Sequence, residues 1–480
     1  MFKPYETSPF YDEMLENNLP RAHYIPFYEQ LQKLTAEQLQ QKHQTAQSSF
    51  LRQGITFTVY NTGEDTERAM PFDFIPIIMP NKTWQQIEAG MKQRVKALNM
   101  FLHDIYNEEH ILNDGVVPRR LVEANQYYYQ QVQGLKIPLQ NHIFLAGIDL
   151  IRDEQGEYRV LEDNLRNPSG ISYVYQNRFV MRKVYPEFFR KYTIAPLEIQ
   201  MENMQKALLE HRPLTLKTER EPNAVLLTAG TYNSAYYDHV FLAKQMNISL
   251  VEGRDLVVED GKVYLKTIRG LKQVDVIYRR IDDDFLDPVA FREDSLLGVP
   301  GLLESYKAGN VSIVNAVGNG VADDKALYSY VPDIIRYYLN EEPIIQNVET
   351  FRLEDDEMRN WVLANIRELV IKNVGASGGY DMLIGPHATE EELQMFKEKI
   401  MKHPHQYVAQ PTMMLSRAPA FQNNQFYPCH VDLRVFVMTG KDMHVIPGGL
   451  SRVALKEGSL VVNSSQGGGG KDTWIVLEAN

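Results

Sequence analysis

Glu162 and Asn164 stand two residues apart in "EYRVLEDNLRNPSGISY", at the exit of an apolar, strand-like run. On a strand, residues i and i+2 share a face, so these two oxygen donors converge while Asp163 points away. Asp149, in the preceding apolar run "HIFLAGIDLIRD", is a third oxygen donor. The polar turn Asp153–Gly156 between the runs predicts a hairpin that places Asp149 on the strand beside Glu162 and Asn164. Carboxylate and amide oxygens are the hard donors Mg²⁺ prefers, and Mg²⁺ usually completes its octahedron with water and substrate phosphates. Arg166 and the Pro168-Ser169-Gly170 break follow at once, so the alternative is a polar turn that needs only solvation.

Phosphate chemistry has its own signal further on. In "ELVIKNVGASGGYD", Lys372 ends an apolar strand, and Gly375, Gly378 and Gly379 follow it. Glycines let backbone N–H groups approach a phosphate closely, and the lysine supplies a point charge. No Gly-Lys-Ser/Thr occurs here, so this is not a Walker loop, and an ordinary hairpin loop is the competing reading. The run "QYVAQPTMMLS" leads to Gln410 and then Pro411, a strand exit that could read an adenine edge through its backbone. In "HVDLRVFV" Asp432 and Arg434 share a strand face, either as an ion pair or as phosphate-binding groups. Arg452 in "GGLSRVAL", and Asn463 and Lys471 in "NSSQGGGGKDTW", are further candidates, the latter two beside a four-glycine tract that is costly to order. On the substrate side, "TAGTYNSAYYDH" offers Tyr232 and Asn233, and "YRRIDDDF" offers Arg279 and Arg280 as carboxylate anchors, or else as a surface ion-pair loop. His239, His430 and the single cysteine, Cys429, read as core or surface groups.

The elements that must position these groups follow from periodicity. From Thr83, read with Gln86 as a capping box, Trp84, Ile87, Met91, Val95, Leu98, Leu102 and Ile105 recur at helical spacing and predict a long amphipathic helix. "SYVYQNRFVMRKVYPEFFRKY" predicts another. After the charged "LKTEREPN", the runs "AVLLTAG", "YNSAYYDHVFLAKQM" and "ISLVEG" read strand, helix, strand, a βαβ unit with a turn at Gly230. Two helices, "KALYSYVPDIIRYYL" and "DDEMRNWVLANI", then precede alternating strands that predict a largely antiparallel sheet. The expected division is 1–75 as an accessory region, 76–215 with the metal donors, 222–320 as a small α/β substrate domain, and 321–480 with the lysines and glycines.

A chain of 480 residues needs several cores, and its 44% apolar and 23% charged content is that of a soluble globular protein. The net charge of −12 argues against a nucleic-acid binder that neutralises phosphates. One cysteine excludes an intramolecular disulfide and a cysteine zinc cage. The opening residues carry no secretory apolar stretch, and no apolar run reaches membrane-spanning length, so the expectation is a cytoplasmic protein without a membrane partner.

Two stretches together, "GIDLIRDEQGEYRVLEDNLRNPSGISY" and "GGLSRVALKEGSLVVNSSQGGGGKDTW", resemble the circularly permuted ATP-grasp proteins of type 2, relatives of glutathionylspermidine synthase. The resemblance runs from about Trp84 to Trp474. It implies an α+β, circularly permuted ATP-grasp fold with an inserted α/β, pre-ATP-grasp-like domain, in which the metal-binding segment precedes the lysine and glycine loop. It implies Mg²⁺ held by Asp149, Glu162 and Asn164, and ATP held by Lys325 (in "NGVADDKAL"), Lys372, the loop of Gly375, Gly378 and Gly379, and the hinge at Gln410. Gly147 stands where glutathionylspermidine synthase has an arginine, with Arg166 or Arg152 as the replacement. The implied activity is an ATP-dependent carboxylate–amine ligase that neutralises charge through Arg166, Arg434 and Arg452, while Ser169, Tyr232, Asn233, Arg279, Arg280, Asn463 and Lys471 face the substrates. A kinase or a nucleotide-binding protein of the same fold is the alternative, and homo-oligomerisation is left open. The whole reading requires acids from the early hairpin and ammonium groups from the late sheet to meet across one cleft that admits a triphosphate.

Overall fold

The structure is a computed structural model that describes residues 9–59, 66–69, 71–217, 220–374, 381–455 and 468–477. Gly375, Gly378, Gly379 and Asn463 lie outside the described residues. Its centre is a seven-stranded, antiparallel sheet that joins distant parts of the chain. The early hairpin, Leu145–Arg152 and Tyr158–Asn164, pairs along its first strand with the long strand Gln425–Thr439, which also pairs with Arg417–Gln422, Met443–Val445 and Leu450–Val453. Apolar residues on the inner face of that sheet, among them Ile148, Leu150, Leu433 and Val435, pack against the helix Asn81–Ile105, whose Trp84, Ile87, Met91, Val95, Leu98, Leu102 and Ile105 are all buried.

That helix starts two residues before the expected capping box. Pro80, extended at φ −62° and ψ 142°, is the N-cap, and no side chain caps the helix. Strand Ile77–Pro80 runs straight into the helix, and its pairing with Thr473–Val476 fixes the entry, so Thr83 is already inside the first turn. The stretch "KALYSYVPDIIRYYL" likewise forms two helices, Lys325–Tyr328 and Val331–Leu339, because Pro332 suits the first turn of a new helix and not the interior of an old one.

A second sheet, in the order Phe351–Arg352, Tyr407–Pro411, Leu369–Asn373 and Met382–Ile384, carries Lys372 and Gln410. Leu369, Ile371, Tyr407 and Ala409 turn into a core beneath helices Asp356–Ala364 and Glu390–Lys402, which leaves the alternate residues Lys372, Val408 and Gln410 on the opposite face. The βαβ unit belongs to a four-stranded parallel sheet, ordered Ser312–Val314, Val276–Arg279, Ala224–Leu227 and Ser249–Val251, with helix Tyr236–Gln245 in the crossover.

Asn315, at the end of this parallel sheet, ties it to the central one. Its Oδ1 accepts from Phe144 N (2.7 Å) and Leu145 N (2.9 Å), and its Nδ2 donates to Leu145 O (2.8 Å) and Leu165 O (2.5 Å). Among the described residues no helix is long and apolar enough to cross a membrane.

Candidate active site

The register of the central sheet builds a row of alternating charge. Asp149 is the cross-strand partner of Glu162 on one side and of Arg434 on the other, and Asp432 is the partner of Arg452. Residues so placed have neighbouring side chains on one face. Arg434 donates from Nε and Nη2 to the two oxygens of Asp149 (2.6 and 2.8 Å). Arg452 bridges Asp149 (2.8 Å) and Asp432 (2.9 Å from Nε). With its amide turned to suit its neighbours, Asn164 donates to Glu162 Oε1 and accepts from Arg434 Nη2, both at 3.2 Å. Asp432 and Arg434, read as a pair from their shared strand face, thus each pair across strands. Burial works to raise the Asp149 carboxyl, and Arg434 and Arg452 outweigh it, holding Asp149 at about 2. Burial raises the Asp432 carboxyl despite Arg452.

Gly147 makes room for this arrangement. A Cβ there would come within 2.8 Å of Pro168 Cβ and 3.4 Å of Arg434 Cδ, so Arg434 lies across the position where a side chain would stand. Arg152 is engaged elsewhere: it pairs with Glu13 (2.8 Å) and lies over the rings of Tyr11 and Tyr158. Arg166 donates to Asp323 (2.7 Å), stacks on Tyr127 and lies 3.9 Å from Asp282. Asp323 also accepts from Leu165 N at 2.6 Å.

Hairpin and lysines meet. A narrow cleft, whose free space of about 10 Å³ is too small for a triphosphate as the side chains stand, is lined by Leu161, Glu162 and Asp163 from the hairpin, Asp323, Asp324, Lys325 and Tyr328 from the segment before Pro332, and Lys372, Val408 and Gln410 from the second sheet. Lys325 opens its helix, and Asp324 caps it by accepting from Ala326 N and Leu327 N. Lys372 donates to Gln410 Oε1 (2.7 Å), and Gln410 Nε2 donates to Thr350 Oγ1 (2.9 Å). Enclosure in the cleft lowers the Lys372 ammonium to about 8, with Glu162 acting to raise it and Lys325 to lower it further. Strand Tyr407–Pro411 is paired on both sides at Val408 and Ala409, so backbone that could read a purine edge lies past Gln410.

Several expected site residues sit elsewhere. Arg279 is wholly buried, donating to Asn315 O (2.8 Å), Ile281 O (3.0 Å), Asp283 Oδ1 and Asn319 Oδ1 (both 3.2 Å); its guanidinium organises the end of the parallel sheet and offers no face to a substrate. Lys471 is also wholly buried, paired with Asp73 and donating to Ile75 O (3.1 Å) and Pro419 O (2.8 Å), because a buried ammonium needs a carboxylate and carbonyls around it. Neither is open to substrate in this structure. Arg280 is buried too, donating to Pro168 O (2.7 Å) with Asp238 at 3.8 Å. Tyr232 is exposed, Asn233 forms a local turn with Ala235 N, and the half-buried Ser169 offers its carbonyl to Arg434 Nη1 at 3.4 Å.

The donors fit Mg²⁺ in one way. Among the described residues no group of three or more His, Cys, Asp or Glu forms a metal cage. Both oxygens of Asp149 already accept from arginines, while Glu162 and Asn164 are half-buried, Glu162 lining the cleft and Asn164 in contact with Glu162. That is a partial shell, of the kind Mg²⁺ completes with water and phosphate oxygens. Sequence reasoning missed Asp323, Tyr328, Thr350 and Arg94, the last a lone arginine between Met91 and Leu98 on the apolar stripe of the long helix, which was the signal available.

Comparison with known proteins agrees with this architecture. The profile described as circularly permuted ATP-grasp type 2 matches residues 76–454, and the chain belongs to that family. It is 48% identical over 474 residues to an uncharacterized protein of Synechocystis sp., covering 98% of each chain, and 47% identical over 482 residues to one of Mycobacterium tuberculosis, covering 99% of this chain and 86% of the other. It is 40% identical over 468 residues to a Frankia alni protein named "Putative glutamate--cysteine ligase 2-3", covering 97% of this chain but about half (54%) of that protein. The solved structure of a glutathione synthetase-like effector from Globodera pallida shares the fold, with a TM-score of 0.58 at 13% identity, covering 92% of this chain and 98% of the effector.

Proposed function

We propose that this protein is an ATP-dependent ligase joining a carboxylate to an amine through an acyl phosphate. The observation that carries the reading is the single cleft in which Glu162 faces Lys325, Lys372 and Gln410. A substrate carboxylate oxygen would bond to the γ-phosphorus as the bond to ADP breaks; the amine nitrogen would then bond to the acyl carbon as phosphate leaves and the amine gives up a proton. Such phosphoryl transfer needs positioning and charge neutralisation more than a general base. Lys325 and Lys372 would neutralise the phosphates. Glu162 and Asn164, with Asp149 behind them, would hold Mg²⁺, which would supply positive charge against the charge developing on the phosphates. Arg434 and Arg452 hold Asp149 ionised, and Arg166 with Ser169 stands at the hairpin's exit as a contact for the acyl group. Tyr232 and Asn233 lie on the α/β domain as contacts for the small-molecule or peptide substrates.

The names of the Frankia relatives put glutamate and cysteine first on a substrate panel. The test is ADP and phosphate release with carboxylates supplied with and without amines. Release that requires both, with an amide product, supports the ligase. A phosphorylated product without amine dependence makes the protein a kinase, and tight ATP binding without turnover makes it a nucleotide-binding protein.

A further inference from the structure

Asp163 borders the cleft, but its carboxylate lies on the other face of the hairpin's second strand and has no part in the chemistry above. Asp163, between Glu162 and Asn164, points away from them and is buried against Arg94 of the long helix, which donates from Nε and Nη2 to its two oxygens, both at 2.6 Å. Arg94 Nη1 donates to Asn347 Oδ1 (2.7 Å), Asn347 Nδ2 donates to Tyr328 O (2.8 Å), and Tyr328 Oη donates to Val160 O (2.6 Å), which returns the chain of bonds to the strand where it began. Segment 346–348 is stitched to the same strand by Val160 N donating to Gln346 O (2.9 Å) and Val348 N to Val160 O (2.8 Å). Two residues beyond Val348 stands Thr350, the partner of Gln410, which holds Lys372. The ring thus touches two walls of the cleft, the Glu162 strand and the helix Lys325–Tyr328, and the segment that leads through Thr350 to the third, the lysine sheet.

We propose that Arg94 is a positioning residue that, from behind the strand, sets the separation of Glu162 from Lys325 and Lys372. A planar guanidinium suits this work, because its fork binds the carboxylate through two parallel bonds and still reaches Asn347, whereas a lysine offers one point charge on a flexible stem. The catalytic consequence rests on the ligase reading; the geometric one does not.

The test compares wild type with Arg94→Lys, Arg94→Met and Asp163→Asn, using hydrogen exchange resolved by residue and calorimetric titration with Mg²⁺ and a non-hydrolysable ATP analogue. In Arg94→Lys, which keeps the charge and safeguards folding, amides of Leu161–Leu165 and Lys325–Tyr328 are expected to lose protection together, at least tenfold, while the core of the sheet at Val435–Val437 is unchanged. Analogue affinity is expected to fall at least tenfold, further in Arg94→Met, and kcat to fall more than KM for ATP rises. Unchanged protection at Lys325–Tyr328, or loss spread evenly over the fold, overturns the proposal. Should the wild type neither bind the analogue nor release ADP, the ligase reading fails, and the exchange data still decide the role of Arg94.

Discussion

Glu162 and Lys372 carry opposite charges into one cleft, and each gives a separable prediction. Glu162→Gln keeps the shape of the side chain and removes the charge, so Mg²⁺-dependent ADP release is expected to fall at least 100-fold with the melting curve unchanged; full turnover would remove Glu162 from the site. Lys372 holds its proton at pH 7 and loses it as pH rises through about 8. Affinity for a triphosphate is expected to drop across that window, and the step should vanish in Lys372→Met. The stability effect has the opposite sign. Because the folded value lies below the ordinary 10.5, the unfolded chain binds more protons between about 8 and 10.5, and stability gains with pH there from this group. Asp149 has the same sign in an acid window: its folded value of about 2 lies below the ordinary 3.8, so its contribution is full above 3.8 and lost as pH falls toward 2.

At the level of elements, the hairpin was legible and its surroundings were not. Alternation and the turn at Asp153–Gly156 place Asp149 on the strand beside Glu162, whereas their direct opposition depends on a register shift between Asp149 and Leu150 that no local pattern announces. The Arg94–Asp163 bond spans 69 residues, and nothing local announces which acid will answer a lone arginine on an apolar stripe. The charged runs "YRRIDDDF" and "GGGGKDTW" look solvated, yet Arg279 with Asp283 and Lys471 with Asp73 are internal pairs, because charge density along the chain does not distinguish solvent from a buried partner. The hairpin also exposes a steric limit. Gly147→Ala would push a Cβ to 2.8 Å from Pro168 and is expected to cost about 1–3 kcal/mol and shift Arg434, measurable by urea denaturation and by loss of ADP release.

Across the whole molecule, the antiparallel late sheet and the βαβ unit follow from periodicity, whereas the joining of residues 145–164 to 425–453 in one sheet is announced by no local pattern. The join to the parallel sheet depends on Asn315. Asn315→Ala removes the acceptor for two buried N–H groups, of Phe144 and Leu145, and is expected to cost about 2–4 kcal/mol in chemical denaturation. Less than 1 kcal/mol would mean that packing alone joins the two sheets.

The strand Gln425–Thr439 has a further consequence for synthesis. Its Arg434 meets Asp149 across 285 residues, so at ribosomal rates of roughly 5–20 residues per second the first strand of the hairpin waits on the order of 15–60 s for its neighbour. During that interval an apolar edge bearing an unneutralised acid stands open to other nascent chains. Fragments ending before residue 425 should therefore aggregate or be captured by chaperones, and supplying residues 425–455 as a separate peptide should restore their solubility.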